Sequence, residues 1–362
     1  MKNKKNFDED LSNNIKVLTS VEQKQYYGIP EFSFEQRKQN FSLDKQEHDL
    51  LQSLKSVNSM VLFILELGYF KEKQRFFSFK KQDVISDVEF IIKAYFPKTN
   101  LKDISFSKNT KTAHRQNILN LFSYKDWKPF KKEFTKKAKV IVSIDSFPQY
   151  LFKELLRFTI NNKIVLPPYR EIQIIITQTL SLEEKRIFSL LEKLCDDELK
   201  KNVQSLLTKN TDETYYLLST IRLPITGFCY NDVFTEVDKQ RKIKPIFDKA
   251  KKILPELKVS NLTIKYFSKA LDNYNLNNFK RFNENKQLFI VLCFVYYRYM
   301  NINDNLVKTF LYLMDKYENE IKIASEKQII THLTQQLLDT NLTLVFHSYS
   351  SREDISLFFN IH

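Results

Sequence analysis

Three basic side chains lie at helical spacing in a segment that begins near residue 108. Lys111, His114 and Arg115 are separated by three and four residues, so a helix would carry them on one face. We expect this face to lie opposite Ile118–Phe122, which would turn toward the core. The positive end of the helix dipole and the added cations would together attract an anion. The pattern predicts a phosphate-binding surface rather than a reaction centre.

A dense lysine run follows this segment. Between residues 98 and 139, twelve Lys and Arg residues oppose three Asp and Glu residues, a net +9 of the +14 of the whole chain. Trp127, the only tryptophan, lies inside the run. Its ring could stack on a base or a sugar, or pack with Phe130 in a local core. The residues that we assign to this basic region are Lys108, Lys111, His114, Arg115, Lys125, Trp127, Lys128, Lys131 and Lys132.

Two further stretches are basic. Residues 239–252 hold seven Lys and Arg residues against one acid, and we expect Pro245 to break their helix midway. The residues that we assign from KEKQR and from this second cluster are Lys71, Lys73, Arg75, Arg241, Lys242 and Lys244. The alternative for each cluster is a solvated helix face. Two clusters in one chain favour a nucleic-acid partner, and neither lies opposite the wide apolar face that membrane binding requires.

Residue patterns that support catalysis are missing from the sequence. The five histidines are scattered, no HExxH motif or nucleophile elbow occurs, and the three cysteines form no CxxC pair. Only 3 glycines occur, too few for a glycine-rich phosphate loop. The run VIVSIDSF is typical of a β-strand, and its Asp145 is a candidate helix cap rather than a metal ligand. We expect no catalytic residue, no metal and no cofactor.

The elements that must position these residues are helices. Few glycines and prolines, together with apolar residues at helical spacing, predict an all-α fold of multi-helix bundles in two or three consecutive domains, with little or no sheet. Capping boxes begin at Thr19 and Ser33. The apolar stretch NSMVLFILELGYF predicts a helix buried in a bundle, ended by Gly68. Near the end of the chain, LTLVFHSYS could form a strand.

The expected domains are consecutive. They are residues 1–97, the basic residues 98–207, residues 208–327 with the second cluster, and a tail of residues 328–362. Residues 208–230 are the least regular internal part and set the second boundary. The N-terminus lacks the apolar stretch of a signal peptide, and no apolar run is long enough to span a bilayer, so a cytoplasmic location is expected.

Five stretches, taken in order, resemble the N-terminal half of transposases of the replicative class II, or Tn-three, family. The resemblance covers about residues 15–327. The stretches are KVLTSVEQKQYYGIP, LFILELGYFKEKQRFF, NTKTAHRQNILNLFSYKDWKPF, NNKIVLPPYREIQIIITQTL, and TIKYFSKALDN with FIVLCFVYYRYMNINDNLVKTFL.

The resemblance implies a helical region that binds the terminal inverted repeats of a transposon. The catalytic part of such transposases is an RNase H-like domain with three acidic residues and two metals, and this chain is expected to lack it. The last residues, from QIITHL onward, depart from the family's continuation, through truncation, frameshift or divergence. The family's run of arginines is reduced here to His114-Arg115, and lysine lacks the fork with which arginine holds guanine.

The resulting interpretation is a DNA-binding part of a transposase, without catalysis, that recognises double-stranded inverted repeats near the nucleoid. The first alternative is a helical interaction or dimerisation module, which would form a homodimer or associate with a full-length transposase. That alternative rests on the large apolar residues between 284 and 314, namely Phe289, Phe294, Tyr296, Tyr297, Phe310 and Tyr312. A metal-dependent nuclease that acts alone is disfavoured by the absent acid cluster. No membrane partner is expected.

Overall fold

The computed structural model describes residues 15–106, 108–208, 216–223, 227 and 230–350, with all their side chains except those of 108–110, 230 and 341–350. Across these residues the fold is all-α, as predicted, and an isolated β-bridge is the only extended pairing. The helices are α1 (Ser20–Tyr27), α2 (Phe34–Asn40), α3 (Lys45–Gln52), α4 (Val57–Lys73), α5 (Ile85–Tyr95), α6 (Lys108–Phe122), α7 (Lys131–Ile144), α8 (Pro148–Asn161), α9 (Tyr169–Leu194), α10 (Asp197–Leu207), α11 (Leu217–Arg222), α12 (Tyr230–Glu256), α13 (Asn261–Asn273), α14 (Leu276–Phe279) and α15 (Glu284–Ser350).

Reciprocal capping starts the first three helices. The Thr19 hydroxyl accepts the Glu22 N–H, and the Glu22 carboxylate accepts the Thr19 N–H at 2.8 Å. Ser33 caps α2 in the same way, so both predicted capping boxes are confirmed. Asp44 forms a third capping box, at α3, that the sequence analysis did not identify. These caps satisfy amide groups that the helix geometry leaves without partners.

The first core surrounds α4. All residues from Val61 to Phe70 are buried, which confirms a helix in the middle of a bundle. The predicted end at Gly68 is wrong, because α4 continues to Lys73. A Cβ at Gly68 would lie 2.4 Å from the ring of the buried Phe41. Gly68 is therefore a point of close approach inside the helix and not a breaker.

The second core joins α7, α8 and α9. Phe134, Ala138 and Ile141 of α7 are buried in it, at the spacing of one helix face. The predicted strand VIVSIDSF is wrong, because residues 140–144 form the last turn of α7. Packing in this core outweighs the strand preference of the β-branched residues. Asp145 follows the helix, where its side chain accepts the N–H of Phe147 at 2.9 Å.

Several helices run through positions where breaks were expected. α4 continues through Gly68, and α12 continues through Pro245. The buried Ile243 and Ile246 lie on either side of that proline and secure the helix there. α15 is one helix of 67 residues that includes LTLVFHSYS, so the expected strand is wrong.

The chain divides into two compact units. The first takes the described residues of Met1–Lys200 and Ala250–Phe294 and contains both cores, and the second takes those of Lys201–Lys249 and Val295–His362. In the second unit, the buried carboxylate of Glu236 lies 2.7 Å from Lys239 Nζ and 3.5 Å from Arg298 Nη2. Arg298 also donates to two carbonyls at the end of α11. The four consecutive domains stay a prediction. Each of the two compact units is made of two separate stretches of the chain.

Candidate nucleic-acid interface

His114 of α6 lies in the core and not on the surface. Its ring is 1 % exposed, its Nε2 is 2.9 Å from the Ser59 hydroxyl of α4, and its edge meets the Phe63 ring. The expected face opposite Ile118 is wrong. Positions 111, 114, 115 and 118 repeat at spacings of three and four, so the basic residues and the apolar residues share one side of the helix.

A buried acid explains why basic residues occupy this side of α6. Glu66 of α4 is buried, with Oε1 3.4 Å from Arg115 Nε and Oε2 3.8 Å from His114 Nδ1. Arg115 also donates to the carbonyl of Phe77 at 3.1 Å. We call Glu66, Lys111, His114 and Arg115 the Glu66 cluster. Arg115 and Lys111 are the cations that act on this internal carboxyl, because a buried charge needs an opposite charge nearby.

Burial shifts the titration of this cluster. It raises the pKa of the Glu66 carboxyl to about 7, although the Arg115 charge opposes the rise. It lowers the pKa of the His114 imidazole to about 4, so the ring is neutral at physiological pH. Burial also lowers the pKa of Lys111, whose Nζ lies 4.2 Å above the Phe79 ring. The Lys108 side chain lies outside the described residues.

The basic residues at the end of α4 are also turned inward. Lys71 Nζ donates to the Glu47 carboxylate at 2.7 Å, and Lys73 Nζ donates to the carbonyl of Gln25 at 2.6 Å. The Arg75 guanidinium lies 4.4 Å above the Tyr27 ring, and its burial lowers its pKa. Lys71, Lys73 and Arg75 therefore fasten the N-terminal helices to α4, and all three are at least partly buried.

The lysines beyond α6 face solvent. Lys125, Lys128 and Lys132 are exposed, and Lys131 is exposed but pairs with Glu171 at 2.9 Å. Trp127 is half-buried and packs against the second core, which agrees with the local-core interpretation of its ring. The charge of this run is thus available to a partner, whereas its aromatic ring is already in contact.

The outer side of α7 carries a lysine stripe. Lys132, Lys136 and Lys139 follow at spacings of four and three, opposite the buried Phe134 and Ala138. In the described part of the chain, none of these three lysines forms an ion pair. Lys136 and Lys139 were not among the predicted residues, although the lysine run and the apolar spacing within it contained the signal.

A backbone bridge adds a lysine from far along the chain. The Lys125 N–H donates to the carbonyl of Lys163 at 2.8 Å, and the Val165 N–H donates to the carbonyl of Lys125 at 3.0 Å. Lys163 is exposed, and its backbone lies beside that of Lys125. No local pattern could have revealed this neighbour, since the contact is tertiary. We call the exposed lysines of this region the lysine face: Lys125, Lys128, Lys132, Lys136, Lys139 and Lys163.

The second basic cluster lies on α12, in the second unit. Arg241, Lys242 and Lys244 are exposed, and Arg241 lies 3.9 Å from the exposed Asp238. Lys239, by contrast, is buried against Glu236. Three of the predicted residues in this cluster are therefore open to solvent, and the helix continues beyond them without a break.

Among the described residues, no helix has the length and apolar content to cross a membrane, and no three His, Cys, Asp or Glu side chains gather as a metal site would require. A search of the curated proteins gives no match to the chain. The stretch that holds the Glu66 cluster and the lysine face matches, over residues 17–179, the model of a family described as "Domain of unknown function (DUF4158)".

Proposed function

We propose that this protein binds double-stranded DNA through the lysine face. The observation that carries the proposal is the stripe of Lys132, Lys136 and Lys139, which is exposed, evenly spaced and without ion pairs among the described residues. Free lysines attract phosphates because they release condensed counterions from the duplex. The Glu66 cluster plays no direct part, since its cations are committed to an internal acid.

The length of the lysine face suits a DNA backbone. From Lys128 to Lys139 a helical chain rises about 16 Å at roughly 1.5 Å per residue. Duplex DNA carries one charge per about 1.7 Å of its axis, so several phosphates fall within reach. Lysine contacts of this kind fix the register of a protein on DNA without reading bases. Base reading would fall to other residues.

The second part of the proposal identifies the DNA that is bound. We infer that the target is the terminal inverted repeat of a transposable element, and that the chain supplies binding without catalysis. The resemblance of five ordered stretches to Tn-three transposases supports this, and the lysine face lies within that resemblance. Such a protein would act at the nucleoid, in the cytoplasm. Arg241, Lys242 and Lys244 of α12 provide a second exposed basic group for the same partner.

A salt-titrated binding assay tests the proposal. Fluorescence anisotropy would compare a duplex that carries the inverted repeat flanking this gene with a scrambled duplex of equal length. We expect tighter binding to the repeat. Lys132→Ala, Lys136→Ala and Lys139→Ala combined should weaken binding at least about tenfold and reduce the salt slope by up to about 2.7.

The matched control removes three exposed lysines that lie around the first core, Lys45, Lys55 and Lys93. This control should change the affinity less than about twofold, since those side chains are outside the lysine face. An affinity that stays flat from low to moderate salt would overturn DNA binding. Equal affinity for the two duplexes would overturn the inverted-repeat target alone.

A further inference from the structure

The first part of α15 is buried, whereas its later part is exposed. Phe289 and Phe294 are buried in the first unit, and Tyr296 and Tyr297 are half-buried. In the surface that the sequence suggested between 284 and 314, Phe289 and Phe294 are therefore internal, whereas Phe310 and Tyr312 are 63 and 50 % exposed. From Phe310 to Thr340, every residue of the helix except the half-buried Leu313 is exposed. This stretch belongs to the second unit.

One side of α15 is apolar from Val307 to Ile321. Val307, Phe310, Met314, Tyr317 and Ile321 follow at spacings of three, four, three and four. Their exposures range from 55 to 68 %. Spacing that alternates in this way is that of the a and d positions of a coiled coil, where each side chain inserts between residues of a facing helix. We call these five residues the heptad stripe.

The chemistry around the heptad stripe selects a helix as its partner. An interfacial membrane helix carries an excess of lysines and arginines beside its apolar face. Beside this one the charges are balanced, because Glu318 pairs with Lys322 at 3.1 Å and Glu320 with Lys316 at 3.9 Å. A helix of this length also gains most of its stability in proteins from packing, which nothing described provides here. Exposed apolar surface of this extent marks a contact site.

We propose that the heptad stripe pairs with the heptad stripe of a second copy of this chain. An identical helix presents the same spacing, so a two-fold contact is complementary to itself. When fully covered, aromatic side chains bury about 150–250 Å² each, so Phe310 and Tyr317, at 63 and 57 % exposure, offer roughly 200–300 Å² per copy. Val307, Met314 and Ile321 add to this area. Leu311 and Leu313 beside the stripe extend this area toward the about 800 Å² per partner of a stable complex.

The mass of the full chain in solution tests the pairing. Sedimentation equilibrium across the micromolar range should give the mass of two chains for the wild type. Met314→Lys with Ile321→Lys places two charges inside the stripe and should return the mass of one chain, because unpaired charges cannot be buried there. Circular dichroism should show that the variant keeps its helices.

The matched control places the same charges on the opposite side of the same helix. Tyr312 and Ile323 are 50 and 65 % exposed and lie off the heptad stripe. Tyr312→Lys with Ile323→Lys should remain a dimer. A wild type with the mass of one chain throughout, or equal dissociation of both variants, would overturn the proposal. The assay contains no DNA, so its outcome is independent of the proposed DNA binding.

Discussion

Burial shifts the pKa values of Glu66 and His114 in opposite directions. The folded chain raises the pKa of the carboxyl to about 7 and lowers the pKa of the imidazole to about 4. Burial therefore disfavours the charged form of both groups, while Arg115 and Lys111 stay close by. The arrangement makes stability depend on pH, because each group binds protons differently in the folded and unfolded chains.

The contributions of the two groups to stability depend on pH in opposite directions. For Glu66 the folded pKa lies above the unfolded value of 4.5, so its contribution is full below pH 4.5 and is lost as the pH rises through about 7. For His114 the folded pKa lies below the unfolded value of 6.5, so its contribution is full above pH 6.5 and is lost as the pH falls toward 4. Between these limits the two contributions change in opposite directions.

Glu66→Gln isolates the acid. Glutamine keeps the shape of the side chain but does not titrate, so we expect the variant to gain stability relative to the wild type as the pH rises from 5 to 8. The gain should reach up to about 3 kcal/mol for a pKa shift of this size. Urea unfolding at several pH values measures it. A difference in unfolding free energy that does not change with pH would contradict this account.

Among the elements, α4 depends on a contact at one glycine. A methyl group at Gly68 would meet the ring of Phe41, 2.4 Å away, inside a packed core. Gly68→Ala should therefore cost about 1–3 kcal/mol through overpacking. Thermal unfolding would show the loss. Adding Phe41→Leu should recover part of it, and a purely additive double variant would rule out this contact as the cause.

In α12, a proline inside the helix is expected to lower stability. Pro245 is exposed and lacks the N–H that a helix interior uses. Pro245→Ala should stabilise the protein by about 1–3 kcal/mol, since proline is disfavoured in helices and no packing is lost. Chemical denaturation would measure the gain. Pro255, exposed near the end of the same helix, is the matched control, and its replacement by alanine should give a smaller gain.

The elements also show how much the sequence could predict. Capping at Thr19 and the burial of α4 follow from local spacing, and the structure confirms both. The Glu66 cluster and the place of Lys163 depend on residues far apart in the chain, so no local pattern contained them. Counting charges could not separate lysines that anchor the fold from lysines that face solvent.

At the scale of the whole molecule, the Lys and Arg residues behind the +14 net charge form two populations. One part is internal, as in Lys71 with Glu47 and Arg298 with Glu236, and it serves the fold. The other part is free, as along the lysine face and at Lys244. Only the free part attracts a polyanion over distance. The match over residues 17–179 includes the lysine face and ends before α12.

The position of Trp127 has an optical consequence. The chain holds 18 tyrosines but a single tryptophan, whose ring is half in the second core and directly precedes Lys128 of the lysine face. Indole emission responds to the polarity around the ring, and this ring has one apolar side and one wet side. Light absorbed selectively by tryptophan therefore reports on one place in the molecule, the border between its core and its free positive charge.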